Sequence, residues 1–243
     1  PPGSRIVTGI PLHIFGSQRA QQQISDVFRK ALKAPAVAVL PQGFGALCLA
    51  ISTNSALAQG RVALVDIGSR TTELICFSDG QYLNHESAGV VLGVGQVYTQ
   101  VAQKLSSQHQ RQIDAYEVDW ALREDKLIKI KGGVVERQAL EALVQHYVRP
   151  LATRLHNEMT RLWKEGAPGI DHLLYCGGGS ALLASHLGHF RDDYTILPES
   201  QFTNAAGYLE YIRLTSTDQT RAQDQGAEDT PQGDASAQKA SHA

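Results

Sequence analysis

The chain has 243 residues, enough for one large or two modest domains, and 42% of them are apolar, enough for a sizeable core. A formal charge of −2 excludes broad, non-specific attraction to nucleic acid or an anionic membrane, while leaving room for a local basic patch. The three cysteines, Cys48, Cys76 and Cys176, stand far apart in apolar runs, which predicts buried free thiols and a reducing, cytoplasmic setting. No apolar run approaches the length that spans a bilayer, and no signal peptide opens the sequence.

RIVTGIP predicts a short strand stopped by Gly9 and Pro11. Ile24, Val27, Phe28, Ala31 and Leu32 fall on one face of a helix over residues 18–32. AVAVLP predicts a buried strand ended by Pro41, and GFGALCLAISTNSAL an apolar helix that exits at Gln59-Gly60. RVALVDIG, TTELICF and QYLNHES predict consecutive strands, the last two joined by an Asp79-Gly80 hairpin turn. LGVGQVYTQVAQKL is helical on Val94, Val97, Val101 and Leu105, and AYEVDWALRE is a weaker helix. KLIKIKGGVVE predicts a hairpin around Gly132-Gly133 with its lysines in water. The longest helical pattern covers residues 138–163, where Pro150 is expected to introduce a kink. HLLYCGGGSALLASHL reads as a buried strand, a glycine turn and a helix, and YTILP as a short strand. TNAAGYLEYIRL is a final helix with Thr203 or Asn204 available as its cap. From Thr215 onward there is no Leu, Ile, Val, Phe, Tyr or Trp, which predicts a disordered tail over residues 215–243.

Two glycine-bearing turns follow buried strands, VDIGSRTT and YCGGGS. Backbone N–H groups at such turns bind phosphate oxygens, and an Asp at a strand end can hold hydrated magnesium. Each turn equally suits a tight connection between elements, so Asp66 stands open between an ordinary hairpin and a phosphate cradle. The first turn leads into a strand, and the second lacks both GxGxxG and GxxxxGK[ST], which disfavours a dinucleotide oxidoreductase. His186 and His189 have a spacing that metal ligands use on helices, but no acid or thiol stands near them in sequence, which predicts surface or cap histidines. Trp120 and Trp163 read as packing residues, since no basic–aromatic alternation accompanies them.

The order of segments says more than either turn. VLPQGFGALCLA, VALVDIGSRTTEL, LLYCGGGSALL and FTNAAGYLEY resemble, in sequence, the first connecting segment, second phosphate loop, adenosine loop and second connecting segment of the actin-like ATPases. Within that superfamily the likeness is closest to ParM/StbA-type plasmid-segregation actins, over roughly residues 5–214. The resemblance implies an α/β, ribonuclease H-like ATPase fold with a partial first domain at 1–58 and a complete second domain at 59–200. A connecting helix at 201–214 then returns to the first domain. It implies ATP and magnesium as cofactors, with Gln42 and Asp66 catalytic and Asp66 holding the magnesium through water. Gly68, Ser69, Thr71 and Thr72 would face the phosphates, and Gly177, Gly178, Gly179 and Ser180 would pack on the adenosine. Asn204, Ala206 and Gly207 would form the small-residue hinge between the halves. It further implies self-association into filaments, plasmid DNA reached only through an adaptor, and no membrane partner.

The chain departs from the family pattern in places. Ser69 and Arg70 stand where two glycines are usual, so a Cβ would fall at positive φ, and Glu73 stands where Asp is common. The acid often found ahead of the LG helix start is absent from residues 88–91. The first phosphate loop is expected ahead of Pro1, so the chain reads as truncated or degenerate and as a weak ATP binder by itself. A non-filamentous actin-fold protein, of chaperone or pilus-assembly type, and an inactive remnant are the alternative readings.

Overall fold

The computed structural model describes residues 4–198 and 201–228, with side chains as far as Thr215. Strand β1 (Arg5–Ile10) is followed by the short helix α1 (Leu12–Phe15), by α2 (Gln18–Leu32) and by β2 (Ala36–Pro41), which lies parallel to β1. Ser17 caps α2, its hydroxyl accepting from the Ala20 N–H. The apolar run of β2 predicts a buried strand, yet only Pro41 at its end is buried. The reason is topological: in a two-stranded sheet each strand is an edge.

Helix α3 (Phe44–Thr53) leads into β3 (Arg61–Ile67), β4 (Thr72–Ser78), β5 (Gln81–Tyr82) and β6 (Ala88–Val90). Asp79 and Gly80 take left-handed φ values of 50° and 73°, the conformation a two-residue hairpin turn requires. Helix α4 (Gly95–His109) follows, then α5 (Ala115–Glu124), which starts with a reciprocal capping box between Asp114 and Glu117. A small hairpin, β7 (Lys129–Ile130) and β8 (Gly133–Val134), precedes α6 (Arg137–Trp163). Helix α6 runs as one element past Pro150, which is exposed, so the carbonyl that loses its donor there can reach water. The chain then forms β9 (His172–Cys176), α7 (Ser180–Leu187), β10 (Tyr194–Ile196) and α8 (Thr203–Glu228). The expected disorder from residue 215 is therefore corrected as far as Glu228, because Ala, Gln, Arg and Glu extend a helix without any apolar face. The rest of the expected tail, 229–243, lies outside the described residues.

The large sheet has the order β10-β9-β3-β4-β5, with β6 also paired to β4. Strands β3, β9 and β10 are parallel, and β4 is antiparallel to β3. Alternation along the strands divides the core. Ala63, Val65, Ile67, Leu74, Cys76 and Tyr175 face α4, α5, α6 and α7. Val62, Leu64, Ile75, Phe77 and Leu174 face the other way, against Ala46, Leu47 and Ala50 of α3. All three cysteines are buried and free. Trp163 is buried, its indole N–H donating to the Glu86 carbonyl, whereas Trp120 is 44% exposed beside Tyr116 and Lys126, so only one of the two tryptophans is a core residue.

Helices α3 and α8 join the two sheets, and they cross at Gly45 and Gly207. A Cβ on Gly207 would land on the Gly45 carbonyl. Only the absence of side chains lets these backbones approach so closely.

Candidate functional site

The same alternation that builds the second face of the large sheet places polar groups at its end. Register pairs Asp66 with Cys176 on β9 and with Glu73 on β4, and pairs Glu73 with Gly89 on β6. Cys176, Asp66, Glu73 and Gly89 therefore form one row across the sheet, on the face toward α3 and α8. The row sits at the carboxyl ends of the parallel strands β3 and β9, where open α/β sheets carry their ligand crevices.

Asp66 is the hub of this row and is only 3% exposed. Its Oδ2 accepts from Asn204 Nδ2 at 2.7 Å and from Gln42 Nε2 at 3.3 Å, and the Cys176 thiol donates to the same carboxylate. Asn204 in turn accepts, through Oδ1, the Gly43 N–H at 3.0 Å and the Ala46 N–H at 3.2 Å. One amide thus caps the start of α3, begins α8 and orients Asp66. Burial pushes the Asp66 carboxyl above its ordinary pKa, and the donors from Asn204, Gln42 and Cys176 oppose that shift only in part. Among the described residues, no cationic side chain contributes to holding its charge. Burial, and then the neighbouring Asp66 charge, push the Cys176 thiol far up, so it stays a protonated donor.

Glu73 is 1% exposed. Its Oε2 accepts the Leu12 N–H at 3.3 Å, which ties β4 to the turn after β1, while its buried Oε1 has no hydrogen-bond partner within normal distance among the described residues. Burial raises its pKa first; the Leu12 N–H and His13 oppose this, and the Asp66 charge adds to it. The sequence marks Glu73 only as a departure, and its place in the row follows from register.

The two turns flank Asp66. Gly68 N–H bonds back to the Thr71 carbonyl at 2.9 Å, closing the hairpin. The start of α4 stacks on this turn, with Val94 N–H on the Gly68 carbonyl at 3.1 Å and Gly95 N–H on the Ser69 carbonyl at 2.9 Å. Neither Ser69 nor Arg70 has a positive φ, so the expected backbone strain is absent and the turn accepts their Cβ atoms. The Thr72 hydroxyl, buried, donates to the Leu92 carbonyl at 2.6 Å and thereby anchors the segment before α4. In the second turn Gly177 has φ +85°, and a Cβ there would meet Asp66 Oδ1 at 2.5 Å. Gly179 N–H bonds to the Ile67 carbonyl at 2.9 Å, which locks the two turns together. Gly178 is exposed at the tip, and Ser180 is buried at the first turn of α7 with its hydroxyl unpartnered. The structure thus gathers Gln42, Asp66, Gly68, Ser69, Thr71 and Gly177–Ser180 around the end of β3, with Thr72 turned away.

A large mixed sheet flanked by helices, with two turns meeting at a buried Asp and two crossing helices behind it, is the actin-like α/β fold. The structure superposes on pCBH ParM, as a non-polymerisable quadruple mutant, with a TM-score of 0.71 at 22% identity, covering 86% of this chain and 68% of that one. A ParM filament of 15 strands from Clostridium botulinum gives 0.69 at 21% identity, over 84% and 65%. MreB 5 of Spiroplasma citri bound to AMPPNP gives 0.67 at 15% identity, over 91% and 72%. At these identities the likeness shows the fold, and the chain spans about two-thirds of the length of these relatives. Residues 64–189, just over half of the chain, match the family described as archaeal actin homologue MreB-like, C-terminal, and the chain belongs to that family. No curated protein sequence matches it. No helix of the described residues is long and apolar enough to cross a membrane.

Proposed function

We propose that the chain contributes the 68–71 turn and the 177–180 turn to a magnesium–ATP site and binds the nucleotide weakly by itself, and that the full-length protein hydrolyses ATP as a subunit of an actin-type filament. The observation that carries this reading is Asp66, a buried carboxylate held by amide and thiol donors with no cationic side chain beside it among the described residues. The residues fit the group. A carboxyl group whose burial favours the neutral form is stabilised as an anion by a hydrated cation, and hydrated magnesium asks for one or two carboxylates rather than a full protein cage. Gly177 packs so closely on the Ile67 carbonyl and Asp66 Oδ1 that no Cβ fits, which brings the 177–180 turn against the carboxylate, and the Ser180 hydroxyl has no partner among the described residues.

Bound magnesium–ATP supplies the positive charge and the phosphoanhydride to be cleaved. Asp66 orients the hydrated cation. Gln42 gives its Nε2 to Asp66, which leaves Oε1 as an acceptor for a water proton. An amide is a poor base, so catalysis here rests on positioning and electrostatics. Gly68, Ser69 and Thr71 face the phosphates, Thr72 supports the turn from behind, and Gly177–Ser180 line the adenosine. Residues 1–58 belong to the first domain, 59–200 to the second, and 201–214 to the helix that returns between them. The ParM filament structure favours filament assembly; a cytoplasmic setting and plasmid DNA carried through an adaptor extend the proposal beyond it.

The test is saturable magnesium–ATP binding by the chain, followed together with phosphate release and light scattering. Binding weakened ~10-fold or more by Asp66→Ala is the expected result, since a buried charge-assisted contact is lost. Equal binding by both proteins overturns the site. Hydrolysis with no rise in scattering, at any nucleotide concentration, overturns the filament.

A further inference from the structure

Helices α6 and α7 enclose a groove of about 620 Å³, on the opposite face of the large sheet from Asp66 and at the far end of α7 from Ser180. Arg149, Thr153 and His156 of α6 line it with Ser185 and His186 of α7 and with His189 just beyond. No carboxylate of the described residues lines the groove. Arg61, Arg111, Arg123, Arg137, Arg161 and Arg191 each pair with a carboxylate, whereas the Arg149 guanidinium has neither an ion pair nor a hydrogen bond among the described residues. Its charge reaches His186, whose pKa is lowered first by burial and then by Arg149. His186 Nε2 meets Gln145 Oε1 at 2.7 Å, and His156 Nε2 meets Glu165 at 3.2 Å with its ring edge-on to Phe190. The adjoining hollow shares His189 and holds Asp192 and Asp193, the latter taken up by Arg191.

We propose that this groove binds a phosphate group. A free guanidinium offers a two-pronged donor to a tetrahedral oxyanion, Ser185 and His189 can add donors beside it, and no carboxylate among the described lining residues repels the anion. The volume lies in the range of small-molecule sites, so the phosphate arrives as part of a larger ligand. The groove is a local exception on a chain whose formal charge is −2, so its attraction is not that of a broadly basic surface. It stands independently of the nucleotide reading, because it uses none of the same residues.

Two probes separate the sources of such a group. Inorganic phosphate is titrated into the full chain while the histidine ring protons are followed by NMR. Co-sedimentation is measured with vesicles of phosphatidylglycerol and phosphatidylcholine. The expected result is saturable movement of the His156, His186 and His189 signals together. Arg149→Ala should weaken it by ~10-fold or more, as loss of a charge-assisted bidentate contact does. Arg154→Ala, on the same helix outside the groove, should leave it unchanged. Both positions are exposed, so thermal melts of the variants should match the parent. A response to phosphate without vesicle binding assigns a soluble phosphate compound. Vesicle binding that Arg149→Ala abolishes assigns a lipid headgroup. No response to either probe, or the same response from Arg149→Ala, overturns the site.

Discussion

The two sheets are made of similar strands and end in different environments. RVALVDI of β3 is buried from Val62 to Ile67, while AVAVLP of β2, no less apolar in pattern, is half-open along its length. The difference lies in neighbours. Strand β3 has partners on both sides and helices on both faces; β2 has one partner, β1. The large sheet is therefore held by its own core, and the small one is held to it by the α3–α8 crossing and a few polar contacts. Those contacts are Asn204 and Gln42 on Asp66, and the Leu12 N–H on Glu73. The residues that form the candidate site are thus also those that fix one sheet against the other, so the hydrogen bonding of Asp66 and the position of the small sheet are coupled by construction.

The largest effect is expected where the join is tightest. Gly207→Val drives a side chain into the Gly45 backbone, which neither helix can yield, and should cost about 3 kcal/mol. Hydrogen exchange should show protection lost over β1 and β2 while β3 and β4 keep theirs. Asn204→Ala leaves two N–H groups of α3 without an acceptor and Asp66 without its shortest donor. A loss of about 2 kcal/mol in denaturant unfolding is expected, from an N-cap and a charged hydrogen bond together.

Glu73→Gln sharpens the comparison through pH. The folded chain holds the Glu73 proton more tightly than the unfolded chain, whose carboxyl titrates near the ordinary 4.5. Its stabilising contribution is therefore full below that value and is lost as pH rises through the higher folded value. Melting of the parent should fall relative to Glu73→Gln as pH rises above 4.5. A parallel pair of melting curves would contradict the raised pKa. The smallest effect is expected for Arg70→Gly, within about 0.5 kcal/mol, because Arg70 is exposed and takes no positive φ.

Local chemistry made much of the fold legible in the sequence. Asp79-Gly80 marked its hairpin, the i, i+3, i+4 spacing marked α2 and α6, and the order of four segments marked the fold. What stayed hidden was set by distance in the chain. The contact of Asn204 with Asp66 spans 138 positions, and that of Glu73 with Leu12 spans 61. Register alone decides that Cys176 donates to Asp66 and that Thr72 turns to Leu92. Helix α1 and strand β6 are too short to carry a periodic signal. The helical stretch after Thr215 carries no apolar periodicity to mark it, although its residues favour helix.

On the proposed function, nucleotide enters between the two turns at the end of β3. The direct measurement is an amide NMR map of the chain during titration with magnesium–ATP. Saturable shifts confined to Gln42, residues 66–71 and Gly177–Ser180, and lost in Asp66→Ala, are the predicted result. Shifts centred elsewhere, or a map that Asp66→Ala leaves intact, would contradict it.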